Sequence, residues 1–284
     1  MKRRDFMAAS CLAGLAPLGS MAAAADAPAT PPKKEFYALQ IYYLPSAEKQ
    51  KAMIDFLGKA VIPAWNRFGI EQVGVFQMTA ADNPDVATAT IDRLGTRTYE
   101  VRKQDDPNLF VLLPSTKLDV LARANARLMG DKQFRTDAGT LLDDPMDDPA
   151  FQRIESSLLQ AFDGHPKLQV PSKKDTRVFQ LRIYESHNLK KAKKKIAMFN
   201  QGGELEIFRR TGLTSVFFGE ALMGVKIPNL TYMLGFDDMA AGEAAWAKFK
   251  SDPAWLALKE DPQYKDTVSN ITNLFLRPAA CSQI

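Results

Sequence analysis

A chain of 284 residues, 46% hydrophobic and 25% charged, has the size and composition of a globular protein able to bury a core. A formal charge of +4 does not mark a nucleic-acid binder. Two cysteines, Cys11 and Cys281, exclude a disulfide framework.

The chain opens with Lys2-Arg3-Arg4-Asp5-Phe6-Met7 and a weakly apolar run from Ala8 to Ala25, interrupted by Pro17 and ending in alanines. Paired arginines followed by x-Phe-Met resemble a twin-arginine export signal, and the alanines offer small-x-small cleavage sites. Residues 1–25 are expected to be a cleaved signal and residues 26–34 a flexible tether. The mature protein is then periplasmic or secreted, without stable membrane insertion. Cleavage removes three basic residues and one acidic residue, leaving +2, and takes Cys11 with it.

Phe36 to Tyr42 alternates as a strand, and Ser46 is placed to cap the helix that follows. Met53, Ile54, Leu57, Ala60, Val61, Ala64, Trp65 and Phe68 recur at helical spacing, with Pro63 expected to kink or break the helix and Gly69 to end it. Ile70 to Gln77 reads as a second strand. The stretch 80–107 interrupts the pattern and leaves room for a hairpin around Arg97 to Val101. Leu109 to Leu113 reads as a buried strand ended by Pro114. A helix with Leu118, Leu121, Ala122, Leu128 and Met129 inward follows, then a second helical piece over Gln133 to Ala138. Asp143, Asp144, Asp147 and Asp148 sit in a Pro-rich turn whose spacing fits no calcium loop, so a solvated linker is expected. A strand within Phe151 to Phe162 closes this first unit, residues 35–163.

After a linker at 164–176, the opening strand returns. Val178-Phe179-Gln180-Leu181-Arg182-Ile183-Tyr184 repeats Phe36 to Tyr42 at an offset of 142 residues. A helix is expected from Asn188 to Arg210, with Lys190, Lys191, Lys193, Lys194 and Lys195 on its outer surface. Strands follow at Leu213 to Gly219 and Leu230 to Phe236. Helical segments at Met239 to Phe249 and Ala254 to Lys259, and a closing strand at Val268 to Leu276, complete a second unit at 177–278, with a tail at 279–284. Thr211-Gly212-Leu213 repeats Phe68-Gly69-Ile70, and Asp252 followed by Trp255 answers Asp131 followed by Phe134. Both units read β-α-β-β-α-β, the ferredoxin-like order.

The strand Gln180 to Tyr184, the helix end Arg209-Arg210-Thr211-Gly212-Leu213, the step Phe236-Asp237-Asp238-Met239 and the stretch Trp246 to Trp255 together resemble NIPSNAP domains. The resemblance covers the second unit almost entirely and the first more loosely. It implies a dimeric α/β-barrel architecture. The expected fold is therefore α+β, two tandem ferredoxin-like units packed sheet to sheet as a pseudo-dimeric barrel. It also implies that Tyr37, Leu39, Ile41, Phe179, Leu181 and Ile183 pack under the helices. Gln40, Tyr42, Gln180, Arg182 and Tyr184 would then point between the sheets. A buried arginine needs partners. One reading is a structural network with the tyrosines, the glutamines and a carboxylate such as Glu220; the other is an inter-sheet pocket receiving a small anionic or carbonyl ligand.

No metal-ligand spacing, phosphate-binding glycine loop or nucleophile elbow is present, and no cofactor is expected. Related barrels include haem enzymes, which raises His187 as an axial ligand against the simpler exposed or capping role. A shortage of general acids and bases favours a non-catalytic small-molecule-binding or accessory protein. The alternatives are a cofactor-independent oxygenase or isomerase and a protein-interaction scaffold. Self-association as a homo-oligomer is open.

Overall fold

The computed structural model describes residues 33–83, 87–91, 97–101 and 107–284; the expected export signal and nearly all of the tether lie outside them. Strand β1 (Phe36–Tyr43) leads into α1 (Ala47–Phe56) and α2 (Ile62–Arg67), which are joined by a π-helical turn at Leu57–Val61. Then come β2 (Gly74–Met78), the hairpin β3 (Ala87–Ile91) and β4 (Arg97–Val101), and β5 (Leu109–Ser115). Helices α3 (Leu118–Ala122), α4 (Ala124–Leu128) and α5 (Lys132–Asp137) precede β6 (Arg153–Ala161). The rest of the chain forms β7 (Val178–Glu185), α6 (Leu189–Asn200), α7 (Glu204–Thr211), β8 (Ser215–Met223) and β9 (Asn229–Phe236). It ends with α8 (Met239–Ser251), α9 (Pro253–Lys259) and β10 (Asn270–Pro278).

Strand neighbours run β2-β5-β1-β6-β8-β9-β7-β10, and β10 pairs again with β2, so that eight antiparallel strands close into a barrel. The halves are joined at two seams, β6 with β8 and β10 with β2. The hairpin is attached to β10 through Ala89 and Thr90, beside the closing seam.

The barrel sorts side chains by strand alternation. One set, including Tyr37, Leu39, Phe110, Phe179, Leu181 and Phe217, fills the barrel interior as one apolar cluster. An interior of this size is about filled by side chains alone. The alternate set meets the helices in two further clusters, one around Trp65 and one around Phe208 and Tyr232. The faces of β1 and β7 are thus the reverse of the sequence expectation: the apolar residues line the barrel, and Gln40, Tyr42, Gln180, Arg182 and Tyr184 face the helices. The physical reason is supply. The closed interior offers chiefly other strand residues, whereas a helix packed on the outer face can bring polar partners.

Local departures have local causes. Pro63 does not break its helix, because the π-helical turn just before it lets Ile62 donate to Leu57 O, five residues back, and widens the helix there. Strand β5 continues through Pro114, since β2 stops pairing at Leu112 and leaves one edge of the strand free of ladder bonds there. The expected second long helix divides into α6 and α7 at Gln201–Gly203, where Gly203 has φ 88°. In α3 and α4 the inward side chains are Val120, Leu121 and Ala124, while Leu118 and Met129 stand exposed. The acidic turn is anchored by Lys49, which pairs with Asp148 at 2.9 Å. Residues 279–284 pack against β2: Ala279 N donates to Val75 O, Gln283 N donates to Val73 O, and Ile284 enters the barrel cluster.

One device occurs in both halves. Arg67, at the end of α2, donates to both carboxylate oxygens of Asp131, which caps α5 by accepting from Phe134 N. Arg210, in α7, does the same to Asp252, which caps α9 by accepting from Ala254 N and Trp255 N. The following glycines, Gly69 at φ 82° and Gly212 at φ 86°, end both helices in the left-handed region.

Candidate functional site

The six expected site residues fall in three places. Gln40 and Tyr42 are buried under the helices of the first half, where Tyr42 OH donates to Gln40 Oε1 at 3.2 Å. Burial raises the Tyr42 hydroxyl above its ordinary pKa. Glu220 lies on β8, pairs with Lys193 at 2.7 Å, and makes no bond to Arg182. Gln180, Arg182 and Tyr184 do come together, on the outer face of β7, with no room for them between the sheets. The cavity between Leu39, Ile41, Glu155, Ser157 and Ile183 at one barrel mouth holds about 30 Å³, space for about one water.

Strand pairing and helix packing supply the neighbours of this triplet. Gln180 bridges two elements: its Nε2 donates to Asn273 Oδ1 of β10 at 2.7 Å, and Trp246 Nε1 of α8 donates to its Oε1 at 2.6 Å. The Arg182 guanidinium lies 4.9 Å from the Trp246 ring centre and 5.3 Å from that of Tyr184, in cation–π range. Its Nη1 reaches Asn273 Oδ1 at 3.4 Å, and its Nε has no hydrogen-bond partner among the described residues. On β9, directly across from Arg182, Tyr232 donates its hydroxyl to the Tyr184 hydroxyl at 3.0 Å.

A buried ion pair completes the cluster. Lys195, expected on the outer helix surface, instead points inward and donates to Glu204 Oε2 at 2.8 Å, and both residues are almost fully enclosed. Its ammonium lies 4.6 Å from the Phe199 ring centre. The spacing Ala192, Lys195, Phe199 already put this lysine on the inward stripe of α6. Glu204 gave no such signal, because the break before α7 carries it beside Lys195 from nine residues away.

Burial pushes the Glu204 carboxyl up, and Lys195 and Arg182 only partly offset that. Burial likewise holds the Tyr232 hydroxyl well above its ordinary range. For Arg182, burial opposes the charge, but Tyr184, Tyr232 and Glu204 outweigh it and raise its pKa. Lys195 and Glu204 balance each other, and among the described residues no carboxylate lies within ion-pair distance of Arg182. The Arg182 guanidinium therefore has nearest hydrogen-bonding neighbours that are neutral. Such a site can hold a carboxylate, an enolate or a polarised carbonyl against the guanidinium. His187 is exposed, outside the cluster.

Comparison with known proteins agrees with this half of the chain. No curated protein matches by sequence. The NIPSNAP family model matches residues 179–283. Among solved structures, a candidate monooxygenase of Fusobacterium nucleatum is 9% identical, with a TM-score of 0.51 over 87% of this chain and 93% of its own. A candidate monooxygenase of Lactobacillus acidophilus is also 9% identical, with a TM-score of 0.50 over 88% of this chain and 97% of its own. An uncharacterised NIPSNAP-like domain protein of Burkholderia xenovorans is 17% identical, with a TM-score of 0.33 over 37% of this chain and 88% of its own. Residues 179–283 thus match the NIPSNAP family model and lie within a closed antiparallel barrel whose fold is similar to those of the two candidate monooxygenases.

Proposed function

We propose that the protein is an exported, non-catalytic small-molecule-binding or accessory protein built as two tandem ferredoxin-like units, with the anionic or carbonyl end of its ligand held at Arg182. The observation that carries this reading is the guanidinium itself. It is flanked by Trp246 and Tyr184, and among the described residues it has no carboxylate within ion-pair distance and no partner for its enclosed Nε. Buried polar groups ordinarily find partners, so an arginine arranged this way suits an incoming acceptor. The tandem reading is supported by the strand order, which is second-third-first-fourth in each half, and by the repeated Arg–Asp clamp.

The test is mass spectrometry of small molecules copurifying with the protein from its native compartment, repeated on Arg182→Met. The variant should lose the ligand and keep its thermal unfolding midpoint nearly unchanged. A large fall in midpoint together with an unaltered ligand would assign Arg182 to the structural network instead. Export is tested separately: replacing Arg3 and Arg4 by lysine should leave the protein uncleaved in the cytoplasm on fractionation.

A second reading, a cofactor-independent oxygenase or isomerase, is favoured by the Tyr184–Tyr232 hydroxyl pair and the raised Glu204 carboxyl beside a cation, since these groups can carry a proton. The similar folds described as candidate monooxygenases are consistent with it. Oxygen consumption with an enolisable or phenolic substrate, lost in Tyr184→Phe, would decide for this reading over simple binding.

A further inference from the structure

Eleven large hydrophobic side chains stand exposed among the described residues, and five of them gather at one end of the molecule. They are Leu189 at the start of α6, Leu222 and Met223 at the end of β8, and Val225 and Ile227 in the turn leading to β9. Leu189 is 75% exposed and Met223 63%. Between α6 and this turn runs a groove of about 390 Å³ lined chiefly by Leu189, Ala192, Ile196, Leu222, Ile227 and Pro228. Isolated exposed hydrophobics are ordinary; a group of them around a groove marks a contact surface.

Its rim is basic. Lys190, Lys191, Lys193 and Lys194 lie on α6, and Lys226 lies in the turn. Facing them are Glu220, which pairs with Lys193, Glu185, which lies 3.6 Å from Lys226, and Asp261, which Lys194 influences. Lys265 and Asp266 beside them cancel. Glu155 lines the small cavity beside Lys226, and Lys191 Nζ donates to Lys265 O. Five lysines thus meet four carboxylates, and the surplus sits on Lys190, next to Leu189. Protein interfaces bury apolar side chains at the centre and are depleted in lysine. Projecting apolar side chains ringed by lysines instead match an element resting among lipid headgroups, with its apolar tips below the phosphates.

We propose that this end of the molecule docks reversibly on an anionic lipid surface, with Leu189, Leu222, Met223 and Ile227 entering the headgroup layer and Lys190, Lys191 and Lys194 contacting lipid phosphates. No helix among the described residues is long and apolar enough to cross a membrane, so the contact is peripheral. The site is separate from Arg182 and stands or falls independently of it.

The experiment is co-sedimentation of the full chain with vesicles of phosphatidylcholine alone and of phosphatidylcholine mixed with phosphatidylglycerol. Binding is expected to the mixed vesicles and to weaken with salt. Reversing two charges of the rim, Lys190→Glu with Lys191→Glu, should weaken it about tenfold or more. Leu189→Asp with Ile227→Asp should do the same. All four side chains are half-exposed or exposed, and an unchanged circular dichroism spectrum checks the fold. Equal binding to both vesicle types, no binding to either, or variants that bind like the wild type would overturn the proposal. So would sedimentation showing a wild-type dimer that Ile227→Asp splits, since a second copy would then cover the patch.

Discussion

Beneath the helices of the first half, the outer face of β1 meets Met53, Leu57 and Trp65, all essentially inaccessible to solvent. Beneath those of the second half, the outer face of β7 meets Lys195, Glu204 and Trp246. The positions correspond: Gln40 stands where Arg182 stands, Tyr42 where Tyr184 does, Val111 opposite Gln40 where Tyr232 is opposite Arg182, and Met53 where Lys195 does. One backbone plan therefore supports an apolar seat in one half and a charged seat in the other. The choice is made by a few helix residues, and it requires the break at Gly203, which brings Glu204 to Lys195; the first half keeps its helix continuous through a π-helical turn.

The largest expected effect falls on the apolar seat. Trp65→Ala should cost about 3–5 kcal/mol in denaturant unfolding, because a fully packed ring leaves a cavity behind. The charged seat should respond differently. Lys195→Met alone, which strands Glu204, is expected to cost about 3 kcal/mol, whereas Lys195→Met with Glu204→Leu should recover most of that loss, since both groups are enclosed. A double variant as unstable as the single one would show that the pair does more than balance charge. It would also show that the seat cannot be converted to the first-half type.

Smaller effects separate the halves by pH. In both, a half-buried aspartate is held below the carboxylate range, Asp131 by Arg67 and Asp252 by Arg210, the latter down to about 2. Their contributions are present above the ordinary carboxylate pKa and are lost as pH falls toward 2. Glu204 acts with the opposite sign. Its pKa is raised on folding, so the native state keeps the proton to higher pH than the unfolded chain, and stability falls as pH rises through the ordinary carboxylate range. Unfolding free energies measured across acidic pH should show this slope in the wild type and not in the Lys195→Met, Glu204→Leu variant. The smallest effect is expected for Arg67→Ala and Arg210→Ala, surface pairs that should shift the acid limb of the curve slightly, Arg210→Ala the more of the two.

The strands and the helix caps were legible because each is written locally: alternation in Phe36 to Tyr42, Ser46 before its helix, Asp131 and Asp252 three residues before an aromatic. The direction of a strand's two faces was not. In a barrel wrapped by helices both faces are buried, so alternation separates the sets without saying which one is inside. The closure itself holds the answer, since an interior filled chiefly by strand residues accepts the more apolar set. The Lys195–Glu204 pair escaped for another reason. A lysine in a run of lysines reads as solvated, and its partner reaches it only through a helix break that depends on Gly203 adopting a left-handed conformation.

The two seams carry a consequence for how the chain comes to be made. Strand β6 is finished well before β8 exists, and β2 waits until β10, near the other end of the described chain, for its last partner. Throughout synthesis the first four barrel strands present two raw edges to whatever is nearby, a standing invitation to pair with another nascent chain. Closure of the ring is then also what makes the protein safe at high concentration. The short ladder from Leu276 to Pro278 against Met78 to Phe76 is its last and most vulnerable clasp.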